Sequence, residues 1–194
     1  MSTVNLSEKF LWDSVSMRFK AYLDLLKFRL SALVTFSAVF GFILGHHGQS
    51  FSWSGFIGLV VGGFLISGAS GAANEIKERD YDKLMKRTQT RPLPMEIISV
   101  REAIWFSIIA AVLGVSLLAV FTNILTTCLG ILSMVLYVFV YTPLKRVGPI
   151  AVLVGAIPGA MPPLLGWTAV TGSISYEALI YLAISSLLGN RLGE

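Results

Sequence analysis

The sequence predicts an all-α integral membrane protein with five to six transmembrane helices. Composition is the first reason. Of 194 residues, 55% are hydrophobic and only 13% charged, with a mean hydropathy of +0.75. A soluble domain is roughly 45–50% apolar and about 25% charged. The second reason is segmentation. The apolar residues gather into stretches near the roughly 20 residues a helix needs to cross the hydrocarbon core.

Residues 1–27 come first and stand apart. Glu8, Lys9, Asp13, Arg18, Lys20, Asp24 and Lys27 leave no apolar central stretch, so no cleavable signal peptide is expected. Leu11, Val15, Phe19, Tyr22 and Leu26 recur at helical spacing. That pattern predicts an amphipathic segment at the cytoplasmic interface, feeding the transmembrane domain of residues 28–194. The first span is expected from about Phe28 to Gly45 and the second from about Trp53 to Asn74. The third runs from about Ala103 to Phe121, the fourth from Ile124 to Tyr141 and the fifth from Pro149 to Val170. A sixth, Tyr176 to Leu188, is short for a bilayer.

Charge sets the orientation. All 15 Lys and Arg precede or open the first span, fall between Lys77 and Arg101, or stand at Lys145, Arg146 or Arg191. In an alternating topology these lie on one side, which the positive-inside rule makes cytoplasmic. A multi-pass protein of the cell inner membrane is expected, with the N-terminus inside.

Small residues and prolines mark the spans. Gly68 to Ala73 would give the second span a thin face leading to Asn74. Pro158, Pro162 and Pro163 free carbonyls that must face protein or a cavity rather than lipid. Cys128 reads as a small apolar core residue, and Trp53, Trp105 and Trp167 as interfacial belt residues. His46 and His47 read as plain loop residues.

The run from Asn74 to Pro94 interrupts the apolar chain with dense charge. Asn74, Glu78 and Asp82 stand four apart, drifting only about 40° per step around a helix, so they share one flank. Their oxygens are hard ligands of the kind Mg²⁺ takes beside substrate phosphates. Lys77, Arg79, Lys83, Lys86, Arg87 and Arg91 surround them with anion-binding groups. By composition the run also reads as a solvated positive loop. Asp80 lies about 240° from Asn74, a place for a supporting residue or a loop anchor. A second constellation, Tyr141-Thr142-Pro143-Leu144-Lys145-Arg146, closes the fourth span on the same side.

The order of these residues resembles the Asn-x-x-x-Asp-x-x-x-Asp motif of the UbiA superfamily of membrane prenyltransferases, with Glu78 at a position usually Asp. Asp80-Tyr81-Asp82, Met85, Arg87-Thr88 and Arg91-Pro92-Leu93 are similar to its protoheme IX farnesyltransferase branch. So are Tyr-Thr-x-x-Lys-Arg and the string from Gly155 through Met161-Pro162-Pro163 to Thr168. The resemblance implies a farnesyl transfer from farnesyl diphosphate to the vinyl group of protoheme IX, giving heme O. It implies that Asn74, Glu78 and Asp82 are the catalytic, Mg²⁺-binding set. Arg87, Arg91, Tyr141, Lys145 and Arg146 would hold the diphosphate. Another UbiA-type prenyltransferase acting on a quinone precursor is the alternative, as is a non-catalytic membrane protein. The expected partners are the two substrates and the bilayer, with a second copy or a downstream heme-modifying enzyme as candidate protein partners. No nucleic-acid partner is expected. The resembled family runs to about nine helices with a second Asp-rich loop, so the chain is expected to be a truncated form of that bundle and inactive alone.

Overall fold

The computed structural model describes residues 6–46, 48, 50–145, 150–176 and 180, with side chains for all of these but 6–15 and 150–153. The described residues are all-helical. Helix α1 is Leu6–Leu25, α2 is Phe28–Gly45, α3 is Trp53–Asp82 and α4 is Val100–Phe121. Helix α5 is Ile124–Leu144, with a π-helical turn at Leu136–Tyr141, and α6 is Ile150–Thr171. Among the described residues, α2, α3, α4 and α5 are long and apolar enough to cross a membrane. The expected fifth span is α6. The expected sixth falls outside the described residues apart from Tyr176 and Ile180, as do His47 and Arg146.

Local chemistry fixes the helix starts. Ser52 and Asn123 cap α3 and α5 by accepting backbone N–H groups from Gly55 and Thr126. Ser99 and Glu102 form a reciprocal capping box at α4. Lys27 takes a left-handed conformation (φ 49°), turning the chain between α1 and α2.

Glycines decide how closely the helices cross. A Cβ on Gly62 of α3 would lie 2.9 Å from the carbonyl oxygen of Gly114 on α4, and the reverse contact is also 2.9 Å. A Cβ on Gly166 of α6 would sit 1.8 Å from the Ala38 carbonyl oxygen of α2. With no hydrophobic drive between helices in lipid, such backbone approach is what holds them together. Asn123 and Thr126 of α5 add hydrogen bonds to Thr168 of α6, at 2.6 and 2.9 Å.

Helix α3 continues two turns past Asn74 to Asp82, as the shared flank of Asn74, Glu78 and Asp82 requires. Its 30 residues span about 45 Å against a hydrocarbon core of about 30 Å, so the charged turns project beyond the span. Of the stripe expected to lie at the interface, Phe19 is exposed and Tyr22 and Leu26 are half-buried. Ala21 and Leu25 are the buried residues of α1, packed with Ala72, Leu93, Ile98 and Ala103. The readings of Trp167 and Cys128 need correction. Trp167 is buried with Leu164 rather than placed in a belt, while Trp53 and Trp105 are exposed. Cys128 is exposed on α5 and is no core residue.

Candidate functional site

The last two turns of α3 carry the site. Asn74, Glu78 and Asp82 are only 2, 6 and 4% exposed, so their shared flank faces protein. Carboxylates turned to acyl chains would be costly, and each here has a cation. Lys145, at the end of α5, reaches Glu78 Oε1 at 2.5 Å. Arg91 folds back from the loop after α3 to Asp82 Oδ2 at 2.6 Å. Asn74 Nδ2 donates to Glu78 Oε2 at 2.9 Å, and Thr142 Oγ1 donates to Asn74 Oδ1 at 2.9 Å. The two signatures, 68 residues apart, therefore meet at one point.

The π-helical turn of α5 sets this meeting. Such a turn leaves carbonyls without their usual helical partners, and these turns are frequent at functional sites. Thr142 shares its proton with the Tyr137 carbonyl at 2.9 Å. Lys77 Nζ donates to the Val138 carbonyl at 2.9 Å and lies 4.3 Å from the Phe139 ring centre. Contacts from Asn74, Lys77 and Glu78 thus hold the end of α5 against α3.

The loop after α3 is pinned as well. Thr88 is buried and donates to the Asp82 carbonyl at 3.1 Å. Leu93 and Ile98 sink into the cluster of Ala21, Leu25 and Ala72. This places Arg91 over Asp82. Arg87 is exposed on the same loop. Asp80 is exposed and pairs with its neighbour Arg79 at 3.0 Å, so it neither supports the flank nor anchors the loop.

Three further residues complete the cluster, none of them singled out by spacing or residue type. Glu75 is 1% exposed, accepts the Leu93 backbone N–H and faces Arg91 and Lys27. Lys27 lies close enough to feel Arg91, Glu75, Glu78 and Lys145. Burial, then the nearby Arg91 charge, pushes its ammonium below the usual lysine value. Thr142 was visible in the motif, but its bond to Asn74 was not. For Lys27 the available signal was a cation that, with Arg29, opens a span. For Glu75 there was none, because it sits on a different flank from its neighbour Asn74.

Below the cluster an apolar cavity of about 560 Å³ opens between α2, α3, α5 and α6. Lys27, Tyr137 and Tyr141 line the end of it nearest the ionic cluster, here called its mouth, and Leu59, Leu118 and Leu165, which share one buried cluster, line the other end. Its wall includes Gly63, Ser67, Ser70 and Gly71 of α3, so the thin face of that helix does lead to the charged turns. Gly155 lets the Tyr141 ring in, since a Cβ there would lie 2.5 Å from it. Pro162 and Pro163 free the carbonyls of Pro158 and Gly159, and both of those residues line the cavity.

Residues 34–190 match the model of the UbiA prenyltransferase family. The chain belongs to that family. Relatives include the protoheme IX farnesyltransferase of Cytophaga hutchinsonii, 45% identical over 173 residues, covering 89% of this chain and 60% of that protein. The mitochondrial protoheme IX farnesyltransferase of Arabidopsis thaliana is 44% identical over 161 residues, 83% of this chain and 37% of that protein. The chain thus spans 60% or less of the length of these relatives. Among solved structures, a UbiA homolog from Archaeoglobus fulgidus bound to DMAPP and Mg²⁺ shares the fold. Its TM-score is 0.67 at 22% identity, over 87% of this chain and 60% of that one. A structure concerning digeranylgeranylglyceryl phosphate synthase gives a TM-score of 0.78 at 20% identity, over 90% of this chain and 60% of that one. In this UbiA chain, the structure joins Asn74, Glu78, Asp82, Arg91 and Lys145 and sets Tyr141 at the cavity mouth.

Proposed function

We propose that this chain binds a prenyl diphosphate with Mg²⁺ as part of a protoheme IX farnesyltransferase. The observation that carries the reading is the junction of a buried ionic cluster and an apolar cavity. One ligand with an anionic head and a greasy tail satisfies both. The named activity of the relatives supports the acceptor.

The donor set fits Mg²⁺. Asn74, Glu78 and Asp82 offer two carboxylates and one amide on one flank, and Mg²⁺ is commonly held by one or two carboxylates plus substrate phosphates. Among the described residues, no three His, Cys, Asp or Glu side chains converge as a closed cage. Charge balance adds a reason. Glu75, Glu78 and Asp82 already face Lys27, Arg91 and Lys145. A cluster balanced in this way takes up a strongly anionic diphosphate only if cations enter with it. When bound, Mg²⁺ supplies charge stabilisation to the departing diphosphate.

The chain's own residues do the rest. Arg91 and Lys145 turn from Asp82 and Glu78 to phosphate oxygens. Burial holds the Lys27 ammonium below its usual pKa, and an arriving anion favours its charged form. Tyr141 donates a hydrogen bond at the mouth, and Arg87 and Arg146 stand as further phosphate ligands. The cavity takes the isoprenoid and excludes water from the allylic carbon as its bond to oxygen breaks. That carbon bonds to one vinyl carbon of protoheme, water adds hydroxyl to the other, and the proton that water gives up goes to the departed diphosphate. All the basic residues of the cluster lie at one end of the bundle, which supports placing that end on the cytoplasmic side of an inner membrane.

The test is transfer of radiolabelled farnesyl in membranes carrying the protein, with protoheme or a phenolic quinone precursor offered in turn. Label in extracted heme that vanishes with Asp82→Asn supports the reading. Label on the phenolic acceptor alone overturns the choice of acceptor.

A further inference from the structure

Most helical glycines here are contact points, but two are not. A Cβ on Gly62, Gly114, Gly41 or Gly166 would strike backbone at 2.9 Å or less. A Cβ on Gly63 or Gly159 would meet nothing within 4 Å. Both line the cavity, on the facing walls of α3 and α6. Among the described residues nothing packs where these two side chains would be, and both positions border the cavity.

We propose that Gly63 and Gly159 set the length of the isoprenoid chain that the cavity accepts. This rests on the prenyl-diphosphate reading above. Depth can be counted along each wall. On α3 the mouth is at Gly71, where a Cβ would touch the Lys27 side chain at 3.3 Å. Gly63 lies eight residues deeper and Leu59 twelve, about 12 and 18 Å at 1.5 Å per residue. On α6 the mouth is at Gly155, against the Tyr141 ring. Gly159 lies four residues deeper and Leu165 ten, about 6 and 15 Å.

An isoprene unit, four chain bonds near 1.5 Å, extends about 5 Å. Three units therefore reach the floor formed by Leu59 and Leu165, where Leu118 joins them in one buried cluster. Gly159 stands beside the second unit and Gly63 beside the third. A side chain at Gly159 obstructs everything beyond the first unit. A side chain at Gly63 obstructs only the third. The two glycines act as two marks of one ruler, read from opposite walls.

The test is calorimetric titration of the reconstituted full chain in Mg²⁺. The probes are inorganic pyrophosphate and the dimethylallyl, geranyl and farnesyl diphosphates. The wild type should bind farnesyl diphosphate most tightly. Gly63→Leu should weaken farnesyl binding by about tenfold or more, the least expected from losing five buried carbons, and leave geranyl binding in place. Gly159→Leu should weaken both farnesyl and geranyl binding and spare dimethylallyl binding. Retained pyrophosphate affinity reports an intact fold. If a leucine variant loses it, Gly63→Ala and Gly159→Ala, whose methyls meet nothing, should show the same order in smaller steps. Equal weakening of all three chains, or no change in any, overturns the ruler. A wild type that binds pyrophosphate but gains nothing from any tail overturns it as well. A wild type that binds none of the probes removes the prenyl-diphosphate reading itself, and the ruler with it.

Discussion

Replacing Lys145 with methionine tests the join between the two signatures. Lys145 Nζ lies 2.5 Å from Glu78 Oε1, and the Glu78 side chain is only 8% exposed. Removing one partner of a fully buried pair costs about 3–5 kcal/mol, because the other charge is left unpaired. Two features reduce that here. The Lys145 side chain is 34% exposed, so water reaches its end of the pair, and exposed pairs contribute about 0–1 kcal/mol. Glu78 also keeps the bond from Asn74 Nδ2. A loss of about 1–3 kcal/mol is therefore expected, at about 2–4 °C of midpoint per kcal/mol for a chain of this size. The assay is thermal unfolding in detergent of Lys145→Met, Glu78→Gln and the double variant. The double variant should be more stable than the sum of the single losses, because a neutral amide no longer needs the ammonium. An unchanged midpoint for Lys145→Met, with additive effects in the double variant, would refute the pairing.

Other variants probe the surrounding frame. Thr142→Val strips the donor from the buried Asn74 carbonyl and should cost about 1–3 kcal/mol, with Thr142→Ser restoring most of it in the same melts. Lys77→Met leaves the Val138 carbonyl of the π-helical turn without that donor. Hydrogen exchange should quicken at residues 136–145 and stay unchanged in α4. Gly166→Ala drives a methyl into backbone of α2 on two sides, at 1.8 and 2.5 Å, and should sharply reduce the yield of folded protein. Gly159→Ala, with open space around it, should not.

The architecture was legible because lipid imposes a simple rule. Apolar stretches of bilayer length had to be helices, and α2, α4 and α5 lie where hydropathy put them. The buried flank was legible because residues four apart share a helical face, and Asn74, Glu78 and Asp82 do. Hydropathy could not show that α3 runs on to Asp82, since charge and helix end are different properties. Nor could it separate inward from outward residues on an apolar helix. Cys128 and Trp167 were misplaced for that reason: in lipid both faces are apolar, and only packing distinguishes them. Glu75 and Lys27 escaped notice because their roles depend on a loop and a turn meeting across long separations. The π-helical turn left no trace in residue type.

The most direct measurement is calorimetry of farnesyl diphosphate binding to the reconstituted chain, with Mg²⁺ and then with a chelator. Binding should need Mg²⁺, because the cluster's carboxylates and cations already balance one another. It should fall sharply in Asp82→Asn, which removes one anionic ligand and frees Arg91. Equal affinity with and without Mg²⁺, or unchanged affinity in Asp82→Asn, would contradict a metal–diphosphate site on this flank of α3.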